Sequence, residues 1–136
     1  MSTATVRWVG GQKFIGADDS GHEVPFDSDR ESNTAPGPMD MVLMALGACT
    51  ATDIVIILEK KRQALAGLEV VCSGERAVDP PRVWVKLEVL FKVRGKVDDT
   101  AMKHAMDLTA EKYCSVAAML RKTAQFTWRY EIEKLP

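Results

Sequence analysis

The sequence predicts an α+β fold in which mostly antiparallel sheets pack around one long central helix. Three observations carry that prediction. Residues 38–63, PMDMVLMALGACTATDIVIILEKKRQ, make one apolar run too long for a strand; between Met39 and Leu58 its only charges are Asp40 and Asp53. Short alternating runs precede it. Longer ones follow, the clearest being Val83, Val85, Leu87, Val89, Phe91 and Val93, with Lys86, Glu88, Lys92 and Arg94 between them. That alternation describes a strand with one wet face.

In chain order, Ala4, Val6 and Trp8 alternate with polar residues and read as a strand that turns at Gly10-Gly11. A second strand covers Lys13 to Gly16. A third covers Glu23 to Phe26, at an edge or a strand end because of Pro25. Asp27 to Gly37 is polar and rich in breakers, a loop of the length at which loops tend to be functional or mobile. Pro38 suits the first turn of the helix, where a missing N–H costs nothing. Apolar residues surround that helix, so burial on nearly every side is expected. Gly47, among Ala45, Ala48, Cys49 and Ala51, costs about 1 kcal/mol relative to alanine in a helix interior and suggests close approach of another backbone. Gly67 reads as the stop after the helix, followed by a strand from Leu68 to Val78. Gly95-Lys96 turns the chain after the Val83–Val93 strand. Asp98 and Asp99 open a second helix with an inner stripe of Met102, Ala105, Met106, Thr109 and Tyr113. A short third helix, Ser115 to Lys122, leads to a closing strand through Phe126, Trp128, Tyr130 and Ile132.

A chain of 136 residues fits a single domain, 1–136. The net charge of −1 gives no electrostatic footprint for nucleic acid. The start, MSTATVRWVG, has no apolar signal region, and three widely spaced cysteines do not make a disulfide scaffold, so a reducing, cytoplasmic setting is expected. The central helix is long enough to span a bilayer. Asp53 would then sit in hydrocarbon at a cost of about 2.5–3.5 kcal/mol, and the amphipathic strands need a helix to cover them, so no membrane is expected. His22 and His104 are isolated and no metal-ligand spacing occurs, so no metal or other cofactor is expected.

The cysteines carry the chemistry. Cys72 lies on the apolar side of its strand and reads as a small buried hydrophobe. Cys114 stands at a helix start, where unpaired N–H groups favour a thiolate, or else is a small residue at a junction. Cys49 lies mid-helix with no such help. Asp53, four residues on, shares its face and needs either a task or an ion-pair partner from elsewhere. Beside an unpaired Asp53, a reactive Cys49 would need a nearby cation.

These features resemble the OsmC/Ohr family of osmotically induced and organic-hydroperoxide-resistance proteins. The resemblance rests on the apolar helix with its mid-helix cysteine, Pro38-Met39-Asp40-Met41 through Leu46-Gly47-Ala48-Cys49. It rests equally on Glu111-Lys112-Tyr113-Cys114-Ser115-Val116 and on the order of elements along nearly the whole chain. It implies an intertwined homodimer in which Cys49 attacks an organic hydroperoxide. The resulting sulfenic acid condenses with Cys114, and a dithiol reductant reopens the disulfide. The family places an arginine just after the first hairpin's glycines and a glutamate just after the helix-opening proline. Here those places hold Gln12-Lys13 and Met39. Lys13 and Arg30 are the candidate replacement cations; Asp53 and Asp40 are the candidate acids. A non-enzymatic dimer of this fold that binds a small ligand, and a redox sensor, stay open beside the peroxidase.

Overall fold

A computed structural model describes residues 1–136, which divide into two compact units, 1–42 and 43–136. In the first, β1 (Thr5–Trp8), β2 (Lys13–Ala17) and β3 (Glu23–Asp27) form an antiparallel sheet in that order. The alternation in β1 buries nothing in this unit: Val6 and Trp8 are 60% and 69% exposed.

The loop after β3 is pinned, not slack. The Asp27 carboxylate is fully buried and accepts from the Ser32 hydroxyl (2.6 Å), the Thr34 hydroxyl (2.8 Å), and the Thr34 and Asp29 N–H groups. These donors, Ser32 foremost, outweigh burial and hold the carboxyl well below the usual range. Arg30 donates to the Asp27 carbonyl and pairs with Asp40 at 3.7 Å.

Helix α1 runs Pro38–Lys60. Asp40 reaches back to the Gly37 N–H (3.1 Å), one half of a capping box. In the second unit α1 buries Leu46, Thr50, Ile54, Ile57 and Leu58, one stripe at helical spacing. Met44, Ala48, Thr52 and Ile56 stay exposed, so the expected burial on nearly every side is not met within one chain. The helix stops earlier than Gly67 suggested. Arg62 adopts φ 56°, and bonds from Gln63 N–H to the Leu58 carbonyl and Arg62 N–H to the Glu59 carbonyl close a Schellman motif. An arginine in the left-handed position carries no sequence signal, whereas a glycine does.

Strand β4 therefore begins at Ala64 and runs to Arg76. It pairs antiparallel with β5 (Trp84–Lys96), and β5 pairs parallel with β6 (Gln125–Lys134). The parallel pair follows from the helical crossover between β5 and β6, which returns the chain to the same end of the sheet. Gly95 lies inside β5 and does not turn the chain; at φ 142° it sits where a Cβ would overlap the Ala64 carbonyl. The core side of β5 is Leu87, Val89, Phe91 and Val93, as its alternation predicts. Near its start the phase shifts. The register slips between Glu75 and Arg76, and Trp84 is buried in place of Val83 and Val85.

The crossover contains α2 (Asp99–Leu108), a π-turn (Thr109–Tyr113) and α3 (Ser115–Leu120). Met102, Ala105, Met106 and Thr109 form the expected inner stripe, but Tyr113 is 49% exposed. The wider π-turn takes one more residue than an α-turn and so swings Tyr113 out of phase.

Candidate active site

Residue spacing on α1 sets one side of the site. Cys49 is half-buried, and Asp53 follows it by one turn on the same face. The π-turn sets the other side. Thr109, fully buried, donates its hydroxyl to Asp53 Oδ2 at 2.6 Å, and its carbonyl accepts the Cys114 N–H at 3.1 Å. Cys114 is 3% exposed and caps α3, its sulfur accepting the Ala117 N–H at 3.3 Å.

Three of the residues singled out in the sequence thus come together: Cys49, Asp53 and Cys114. The thiols of Cys49 and Cys114 are neighbours and both are free. Burial pushes the Cys114 thiol up to about 11 from 9.0. A hydrogen bond and charge from Cys49 act in the same direction, against the Ala117 and Val116 N–H groups. The helix-start argument for a Cys114 thiolate is therefore corrected: a six-residue helix offers too little to offset burial. At neutral pH the Cys114 thiol is therefore protonated. Iodoacetamide should accordingly leave Cys114 unmodified at pH 7–8 and label it only as pH approaches 11. Rapid labelling at pH 8 in the folded protein would contradict this.

Asp53 finds a hydroxyl, not the arginine of the ion-pair alternative, and forms no salt bridge in the chain. It lines a cleft of about 450 Å³ with Ile56, Ile57, Lys60, Lys61, Leu108 and Tyr113, apolar walls with an ammonium rim. Arg30 and Asp40 are brought to each other, each also held by the backbone around it. Lys13 lies on β2 and takes part in no ion pair. Cys72 packs on α1: a Cβ on Gly47 would lie 3.5 Å from its sulfur, an ordinary contact. The close approach expected at Gly47 is therefore to a side chain, with room for alanine within this chain. Burial raises the Cys72 pKa, as for a packing residue. Thr109 was legible only as a stripe residue; no sequence signal marks the π-turn that aims it.

A family model described as OsmC-like protein matches residues 31–129. The chain belongs to the OsmC family. Protein YhfA of Escherichia coli strain K12 is 45% identical over 130 residues, covering 95% of this chain and 96% of that protein. The OsmC-like fold extends to a hypothetical protein from Aquifex aeolicus VF5, whose crystal structure superposes with a TM-score of 0.91. That pair is 25% identical and covers 100% of this chain and 98% of the other. The organic hydroperoxide resistance protein OhrB of Bacillus subtilis shares the fold at a TM-score of 0.70, with 12% identity, 96% of this chain and 98% of that one. Against this OsmC background, the α+β architecture expected from the sequence is present, with one parallel pairing added to it.

Proposed function

We propose that this protein is a thiol-dependent peroxidase for organic hydroperoxides, working in the cytoplasm as a homodimer of a single OsmC-like domain. The observation that carries the reading is the pair of neighbouring free thiols, one half-buried on α1 and one buried and protonated at neutral pH. The family membership and the name of the Bacillus subtilis neighbour support the same chemistry.

In this reading the Cys49 thiolate attacks the terminal peroxide oxygen. The O–O bond breaks, the alkoxide leaves and takes a proton as the alcohol, and Cys49 becomes a sulfenic acid. Cys114 then attacks the Cys49 sulfur. Its proton leaves with the displaced hydroxide as water, and the Cys49–Cys114 disulfide forms. A dithiol reductant supplies the two electrons that restore both thiols. Because Cys114 is buried and Cys49 only half-buried, Cys49 is the group free to meet peroxide first. The apolar cleft beside Asp53 accommodates the organic group of the substrate. A cation is required to hold the Cys49 thiolate. Lys13 and Arg30 are its candidates, and Lys13, which has no acidic partner, is the freer of the two.

One equivalent of cumene hydroperoxide added to the reduced protein should yield a Cys49–Cys114 peptide by mass spectrometry. Should Cys49 stay reduced with no such peptide, the peroxidase reading fails and a ligand-binding dimer becomes the better account.

A further inference from the structure

The polar contacts between α1 and the π-turn form a continuous path. It begins at Asp53, one turn beyond Cys49, and passes through the Thr109 hydroxyl at 2.6 Å. From the Thr109 carbonyl it continues to the Cys114 N–H at 3.1 Å, and the Cys114 sulfur in turn accepts from Ala117 at 3.3 Å. Besides the contact between the two thiols, the Thr109–Asp53 bond is the hydrogen bond between side chains that joins α1 to the segment 109–120. The path ends at the residue whose thiol neighbours that of Cys49, so helix, threonine and both cysteines close a ring.

A disulfide tolerates little error, since its Cα atoms must lie within about 7 Å and its dihedral near 90°. Cys49 is fixed by a helix with a buried stripe. Cys114 is fixed less directly, by a π-turn of five residues that ends in extended backbone at φ −76°, ψ 107°. A π-turn is rare, tends to occur at functional sites, and needs tertiary support. Thr109 supplies that support here. It is the residue whose carbonyl closes the turn, and its hydroxyl fastens the start of the turn to α1. A buried hydroxyl on a carboxylate is a charge-assisted bond, stronger and more directional than a neutral one.

We propose that Thr109, acting through Asp53, is a positioning residue that sets the Cys114 segment at the distance from Cys49 at which the disulfide closes. The proposal rests on the peroxidase reading for its catalytic consequence, but the positioning itself is a property of the reduced protein. Thr109 touches neither peroxide nor sulfur. Its loss leaves sulfenic acid formation at Cys49 in place and slows the second step, in which Cys114 displaces hydroxide from the Cys49 sulfur and water is released. Sulfenic acid that is not resolved is open to a second peroxide, which carries Cys49 to sulfinic acid.

The test compares Thr109→Val, which keeps the shape and removes the hydroxyl, with Thr109→Ser, which keeps the hydroxyl. Each is first shown to be folded by circular dichroism. In a glutathione redox buffer, glutathione disulfide takes two electrons from the pair and leaves as two thiols. The equilibrium constant for the Cys49–Cys114 disulfide should fall about tenfold in Thr109→Val, the scale of one hydrogen bond. It should stay within about twofold of the parent in Thr109→Ser. With excess cumene hydroperoxide, Thr109→Val should divert Cys49 from disulfide to sulfinic acid while the first peroxide is consumed at the parental rate. A parental equilibrium constant in Thr109→Val overturns the proposal, as does an equal loss in Thr109→Ser. So does a parent protein in which glutathione forms no such disulfide. A parent that forms the disulfide with glutathione but not with peroxide overturns only the peroxidase reading.

Discussion

Cys49→Ser should reduce peroxide consumption to background, a loss on the order of a thousandfold or more, because a serine hydroxyl is not ionised at neutral pH and cannot hold the transferred oxygen. Cys114→Ser should behave differently. It should consume one equivalent of hydroperoxide, releasing one equivalent of alcohol, and then stop. Mass spectrometry should find sulfenic acid at Cys49, moving to sulfinic acid as peroxide is raised. The asymmetry follows from the two environments. Cys114 is buried with its thiol pushed up to about 11, so it does not attack peroxide itself. Continued turnover in Cys49→Ser, or undiminished multiple turnover in Cys114→Ser, would remove these cysteines from the assigned roles.

The second large effect concerns assembly. Met44, Ala48, Thr52 and Ile56 make a ridge at four-residue spacing along the exposed side of α1, and Met44 and Ile56 are 52% and 45% exposed. Such ridges are what helices pack through. Within a single chain Ala48→Glu should be nearly neutral, since glutamate is a good helix former at an exposed position. In the proposed homodimer it places an unpaired charge among small residues at a helix contact, at a cost of about 3–5 kcal/mol. Analytical ultracentrifugation at micromolar concentration should show the parent as a dimer and Ala48→Glu as a monomer or an unfolded chain. A folded parental monomer, or an Ala48→Glu protein that sediments as a dimer, would show that this ridge is not the interface. Gly47 bears on the same point. The nearest atom to its missing Cβ within the chain is the Cys72 sulfur at an unstrained 3.5 Å, so nothing inside one chain demands glycine there.

The elements were legible where local chemistry alone decides them. Residues 38–60 are helical because the run is long, apolar and free of breakers after Pro38, and β5 is a strand because Leu87, Val89, Phe91 and Val93 alternate with charge. The two cysteine contexts, read with the element order, pointed to the family that the family model also matches. Boundaries set by unusual backbone were not legible. Arg62 ends α1 in a left-handed conformation that the sequence assigned to Gly67, and the bulge at the start of β5 buries Trp84 where alternation chose Val83 and Val85. Asp27 read as the first residue of a loose loop, yet its carboxylate gathers four donors from residues two to seven positions away.

What the sequence determined by itself is the class of fold, the identity of the two thiols and the acid one turn beyond Cys49. Each depends on residue type and spacing along a single element. Only the tertiary structure decided what those groups are worth chemically. Burial is a property of everything packed around a side chain, and it turned the thiol at a helix start into one whose pKa is pushed up, away from the thiolate. The partner of Asp53 is a threonine 56 residues away, aimed by a π-turn that depends on packing across the chain and leaves no mark in the sequence.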